Sequence, residues 1–95
     1  MFESIFIDEL KNLNNIQIID IRSVEKYNNN HMPGAINIPF DTLMLNYNKY
    51  LNKNSKYYIY CQKGYSSKTL CNILTNNGYK VVNIIGGYEA WMLSK

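Results

Sequence analysis

The chain is poor in the residues that build metal sites and covalent staples. It carries a single histidine, His31, and only two cysteines, Cys61 and Cys71, among 95 residues. No CxxC or HxxxH spacing occurs, so no tetrahedral metal site is expected. Two cysteines cannot build a disulfide scaffold. The two are also ten positions apart, mostly in a stretch that reads as helix. At about 1.5 Å per residue that exceeds the roughly 7 Å Cα separation a bridge tolerates. No apolar run approaches the roughly 18 residues of a membrane-spanning helix. The opening "MFESIFIDELK" lacks a basic leader and holds Glu3, Asp8 and Glu9, unlike a signal peptide. Runs of Lys or Arg are missing as well. The net charge of +3 is scattered, so neither nucleic acid nor a membrane is an expected partner. These absences lead to the expectation of a soluble, cytoplasmic protein.

Apolar residues make up 46% of the chain and charged residues 18%, enough for a modest core in one domain, residues 1–95. Asparagine is abundant, in "NLNN", "YNNN", "NYN", "NKN" and "TNN". These fall between periodic apolar segments, where Asn serves turns and caps. Short apolar runs at residues 16–21, 35–38, 57–60 and 81–85 read as buried strands. Between them lie helical signals. Asp8 is a candidate cap for "ELKNL", "VEKYNN" is a short polar helix, and Asp41 is a candidate cap for "TLMLNYNKYL". "SSKTLCNILTNNG" has Leu70, Ile73 and Leu74 on one face and Gly78 near its end. "GGYEAWMLSK" opens on a double glycine. Strands alternating with helices predict an α/β domain with a mainly parallel central sheet flanked by helices. In such sheets ligands sit beyond the carboxyl ends of the strands. Cys61 and Asp20 occupy two such ends.

"YIYCQKGYSS", residues 58–67, is the most informative stretch. A strand ends on Cys61, a glycine-containing loop follows, and a helix begins. Consecutive loop amides and a helix N-terminus form a concavity that stabilises an anion. A thiolate is an anion, and such surroundings make a cysteine nucleophilic. Gly64 permits a sharp turn, Ser66 or Ser67 is a candidate cap, and Lys63 adds positive charge. Cys71 lies mid-helix beside Leu70 and Leu74 and reads as core.

Three segments together resemble the rhodanese family of sulfurtransferases over nearly the whole chain. "IIDIRSVEKYNNNHMPGAINIP" resembles its D-x-R…E-x-Y/F…G-H-I-P-G-A-x-N-I-P signature. "CQKGYSS" resembles its active loop in the C-x-x-G-x-S-S form, and "IIGGYEAW" its G-G-x-x-A-W element. The resemblance implies that Cys61 takes a sulfane sulfur from thiosulfate or another anionic donor. It would hold that sulfur as a persulfide and pass it to cyanide, a thiol or a protein acceptor. Gln62, Lys63, Gly64, Tyr65, Ser66 and Ser67 would bind the substrate. No metal or organic cofactor is implied. Asp20, Arg22 and His31 are expected to brace the loops near the site, and Trp91 to anchor the core.

The chain departs from the family pattern in three places. Asn30 replaces the glycine before the histidine and is expected to keep the turn through a left-handed conformation. Ser66 stands where many members have Arg, and Gln62 where others have a basic residue. The positive charge of the loop is therefore expected to rest on Lys63. Two rivals follow from the same residues. A non-catalytic rhodanese-like binding module would lack the nucleophile, which is present. A cysteine phosphatase or arsenate reductase would need Arg at the last position of C-x5-R, where this chain has Ser67.

Overall fold

The computed structural model describes residues 1–95. Five strands form one sheet: β1 (Glu3–Ile5), β2 (Gln17–Asp20), β3 (Ile36–Asn37), β4 (Lys56–Tyr60) and β5 (Lys80–Ile84). Their order is β1-β5-β4-β2-β3, and every pairing is parallel. The helices are α1 (Ile7–Leu10), α2 (Val24–Asn29), α3 (Phe40–Tyr50), α4 (Tyr65–Asn76) and α5 (Gly87–Leu93). No helix is long and apolar enough to cross a membrane.

The sheet is covered on both faces, which is why most residues of β2, β4 and β5 are apolar. Alternation along β4 sends Tyr57 and Ile59 to one side and Tyr58 and Tyr60 to the other. The first side joins Ile19, Val81, Leu43 of α3 and Leu70, Cys71 and Leu74 of α4. The second joins Val82, Ile84 and Ile7 and Leu10 of α1, with Tyr27 of α2 and Trp91 of α5 packed against them. Leu70 and Leu74 are fully buried, and each such side chain stabilises the fold by about 1.5–3 kcal/mol. Parallel register puts Asp20 beside Tyr60, so the chain leaves β2 and β4 at the same end of the sheet, side by side.

Several boundaries differ from the sequence reading. β1 has no counterpart in it, because an edge strand of three residues is too short to show a period. Helix α1 is capped at Phe6 and α3 at Pro39, so Asp8 and Asp41 lie inside their first turns as favourable acidic residues rather than as caps. Helix α4 starts at Tyr65 with Gly64 as its N-cap at φ 103°, and neither Ser66 nor Ser67 caps it. The hydroxyl of Ser67 is spent elsewhere, on Asn83. Asn30 is extended at φ −169° rather than left-handed; it closes α2 by donating its N–H to Lys26 O.

Burial, with a smaller contribution from the neighbouring Cys61, pushes the Cys71 thiol up to about 12 from an ordinary 9.0. Burial and a hydrogen bond to Asp20 push the Tyr60 phenol up as well. Both groups are acids whose folded state holds the proton more tightly than the unfolded chain. Their contribution is full below the unfolded values and is lost as pH rises toward the folded ones. Urea midpoints should therefore be level up to about pH 9 and fall steadily above it. The Cys71→Ala variant should show a shallower alkaline fall. An identical slope in wild type and variant would exclude Cys71 as a source.

Candidate active site

Cys61 follows β4, the middle strand of the sheet. Its Sγ accepts a backbone N–H from Gly64 at 3.1 Å and another from Ser67 at 3.3 Å. The thiol in turn donates to Ser67 Oγ at 3.3 Å, and Ser67 Oγ donates to Asn83 Oδ1 at 2.6 Å. The N–H groups of Gln62, Lys63, Tyr65 and Ser66 find no acceptor in the chain. These four residues line the same pocket as Cys61, at the start of a helix whose dipole adds partial positive charge.

The loop is fixed from behind by α5. Tyr88 N donates to Cys61 O at 2.9 Å and Glu89 N to Gln62 O at 3.0 Å. Contact is so close that a Cβ on Gly87 would lie 2.3 Å from Cys61 O, and one on Gly64 would lie 3.1 Å from Gly86 N. Gly87 also has φ +59°, which disfavours any side chain.

Asp20 and Arg22 form a buried ion pair at 2.7 Å beside the loop. The Asp20 carboxylate also accepts the Arg22 backbone N–H at 2.8 Å and the Tyr60 hydroxyl at 2.6 Å. Arg22 donates to Asn30 O at 2.6 Å and to Gln62 Oε1 at 3.4 Å, and its guanidinium lies 4.0 Å from the Tyr88 ring centroid. Burial alone would lower the Arg22 pKa, but the bonds and charge of Asp20, with Tyr60, raise it on balance. The contacts of the His31 ring are with Tyr27. Its Nδ1 is 2.8 Å from Tyr27 O, and its ring stacks on Tyr27 with centroids 3.8 Å apart. Trp91 is half-buried beside Tyr88 on the other face of the sheet.

A pocket of about 300 Å³ opens over Cys61, lined by Lys26, Gln62, Lys63, Tyr65 and Ser66. Gly64 and Ser67 are buried beneath it and touch the sulfur directly. Lys63 is thus not the only cation at this pocket, because Lys26 of α2 reaches it too. Lys26 sits in a polar helix, thirty-five positions before Cys61, and nothing local in the sequence marks it. Asn83, which accepts the Ser67 hydroxyl, has no part in the sequence reading either. Its signal is a polar residue inside the buried run "VVNII", where an unpaired amide would be costly.

The architecture is thus a parallel α/β sheet with a cysteine-headed loop at the carboxyl end of its middle strand. The chain belongs to the rhodanese-like domain family, whose model matches residues 6–94. It is 35% identical over 83 residues to the thiosulfate sulfurtransferase GlpE of Tolumonas auensis, covering 86% of this chain and 77% of that one. A match to YrkF of Bacillus subtilis is 32% identical and takes in 80% of this chain but 41% of that protein. Among solved structures, a rhodanese-like domain protein from Staphylococcus aureus superposes with a TM-score of 0.85 at 39% identity, covering 95% of this chain and 91% of that one.

The contact between Gly87 and Cys61 O makes a specific test. Gly87→Ala forces a Cβ into the carbonyl that α5 holds, so the loop must shift. Alkylation of Cys61 by iodoacetamide should slow at least several-fold in a protein whose circular dichroism is still native. An unchanged rate would mean that the loop geometry does not depend on α5.

Proposed function

We propose that the protein is a sulfurtransferase that carries a sulfane sulfur on Cys61. One observation carries this reading. The Cys61 sulfur already accepts two backbone N–H groups, and the loop residues that carry further unpaired N–H groups line the pocket in front of it. Such a ring of donors stabilises an anion on the sulfur and, one atom further out, a persulfide anion.

In the first step the Cys61 thiolate attacks the outer sulfur of a thiosulfate-type donor. An S–S bond forms to Cys61, the bond between the donor's two sulfurs breaks, and sulfite leaves with that electron pair. In the second step a nucleophilic acceptor attacks the outer sulfur of the persulfide. Cys61 leaves as the thiolate, and cyanide becomes thiocyanate or a thiolate becomes a persulfide. Electrons balance within each step, so no external oxidant or reductant is needed. The amides hold the charge at its successive positions. Lys26 and Lys63 line the pocket and attract the oxyanion end of the donor. Asp20 and Arg22 position the loop through Gln62. His31, occupied by Tyr27, acts as a brace and not as a base. The GlpE relatives, named as thiosulfate sulfurtransferases, support thiosulfate as the donor to try first.

Intact mass after exposure to thiosulfate should rise by one sulfur, and peptide mapping should find it on Cys61 and not on Cys71. Cys61→Ser should lose both the mass shift and all thiocyanate formation. Activity surviving in Cys61→Ser, or sulfur on Cys71, would overturn the assignment.

The lysine pair makes a graded prediction. Exposed ion pairs are worth about 0.2–1 kcal/mol each, which is at most about fivefold in binding. Lys63→Ala alone should raise KM for thiosulfate by less than about fivefold, since Lys26 remains. The double variant Lys26→Ala/Lys63→Ala should raise it further and lose most of its salt dependence. Steady-state kinetics at two ionic strengths would decide. An unchanged KM in the double variant would leave donor binding to the amides alone.

A further inference from the structure

Asn83 lies outside the Cys61 loop, in the middle of the buried strand β5. Side chains alternate along a strand, so Asn83 shares a face with Val81, which packs against Leu70, Cys71 and Leu74 of α4. It is 3% exposed. A buried amide among apolar neighbours is costly unless it is hydrogen-bonded. Its Oδ1 accepts the Ser67 hydroxyl at 2.6 Å. Ser67 is fully buried too, and it carries that bond on to the sulfur. Its Oγ accepts from the Cys61 S–H at 3.3 Å, and its backbone N–H donates to Sγ at 3.3 Å.

A serine hydroxyl has one proton and two lone pairs. Two acceptors compete for that proton, Asn83 Oδ1 at 2.6 Å and Gly64 O at 3.4 Å, and the short bond holds it. Ser67 therefore turns a lone pair, not a proton, toward Sγ. A lone pair accepts an S–H and repels a thiolate. The N–H groups of Gly64 and Ser67 pull the other way, because they favour negative charge on the sulfur. We infer that Asn83 is a positioning residue for Cys61: by holding the Ser67 proton, it biases the resting sulfur toward the thiol. The bias keeps the nucleophile in reserve, since the thiolate is the form that reacts and oxidises. Asn83 does this through Ser67 and makes no bond to the sulfur itself. Its value to catalysis rests on the sulfur-carrying role proposed for Cys61, whereas its effect on the thiol does not.

Iodoacetamide is uncharged and reports the thiolate of Cys61, so its rate is followed against pH in the full chain. Asn83→Leu removes the acceptor and keeps a similar shape. The Ser67 proton is then free for the sulfur, where a charge-assisted bond outcompetes the long contact to Gly64 O. The midpoint of the profile should move to lower pH. Alkylation below the midpoint should quicken several-fold, with no rise in the limiting rate at high pH. Asn83→Asp retains an acceptor for the same proton, so its midpoint should not fall below that of wild type. In Ser67→Ala, which keeps the N–H and loses the hydroxyl, adding Asn83→Leu should leave the midpoint unmoved. The other titratable groups around Cys61 are Lys26, Lys63 and Tyr65 at its pocket, Asp20 and Arg22 behind Gln62, Tyr88 and Glu89 of α5, and Cys71 in the core. None of them bonds the side chain of Asn83 or Ser67, so they act alike on each protein compared. Asn83→Val, matching its strand neighbours Val81 and Val82, takes the place of Asn83→Leu if that variant lacks native circular dichroism. A higher limiting rate at an unmoved midpoint would mark a loosened loop and overturn the assignment. A midpoint that rises in Asn83→Leu, or one that still falls when Ser67 is already Ala, would overturn it as well. No arm reads sulfur transfer, so a protein that transfers no sulfur would refute the proposed function and leave this result standing.

Discussion

The site depends on two hydrogen bonds that never touch the sulfur, those from the N–H groups of Tyr88 and Glu89 to the carbonyls of Cys61 and Gln62. A trans peptide unit is planar, and its C=O and N–H point in opposite directions. Holding the Cys61 and Gln62 carbonyls against α5 therefore turns the N–H groups of Gln62 and Lys63 the other way. The left-handed turn at Gly64 then aims its own N–H and that of Ser67 at Sγ. A ring of donors around one atom is thus set by where the acceptors are tied. The close packing of Gly87 and Gly86 against this loop is the steric side of the same constraint. Two adjacent glycines at positive φ let α5 start within hydrogen-bonding distance of another loop's carbonyls.

The Asp20–Arg22 pair fixes the other flank. Removing one partner of a buried ion pair costs about 3–5 kcal/mol because the remaining charge is left uncompensated, while an apolar replacement of both is often neutral. Stability alone therefore does not explain charges here. Their placement does. Asp20 ends β2 and takes the Tyr60 hydroxyl from the end of β4, which itself accepts the Met32 N–H. Arg22 reaches Asn30 O at the end of α2 and Gln62 in the reactive loop. Apolar side chains could fill that volume but could not fix the direction of four separate chain segments. The same tie brings α2 close enough for Lys26 to reach the Cys61 pocket.

Much of this was legible in the sequence, and what was not has physical causes. The strands β2, β4 and β5 show because both their faces are buried, so most of their residues are apolar. β1 fails that test, since Glu3 and Ser4 are exposed on a sheet edge. The start of α4 differs from a serine-capped helix for a physical reason. Serine is a good cap by preference, but Ser67 is fully buried and committed to Asn83, and the loop needs the left-handed turn that Gly64 supplies. The Cys61 loop could be read because its residues are contiguous. Lys26 could not, because its nearness to Cys61 arises only when β2 and β4 pair. Asn83 left a trace, one polar residue in an apolar strand, whose partner could not be named without the pairing of helix and sheet.

The two cysteines show how little of a residue's chemistry belongs to the residue. Both are more than nine-tenths buried, and burial alone opposes ionisation. Around Cys71 the neighbours are Leu70 and Leu74 on the inner face of α4, and no hydrogen bond reaches its sulfur. Desolvation acts there unopposed, and the thiol stays protonated. Cys61 is buried by polar backbone instead. Its neighbours are backbone N–H groups of Gly64 and Ser67, which the loop and the start of α4 hold in place. Ten positions and a change from side-chain packing to backbone donors separate a core thiol without a hydrogen bond from one that two N–H groups hold.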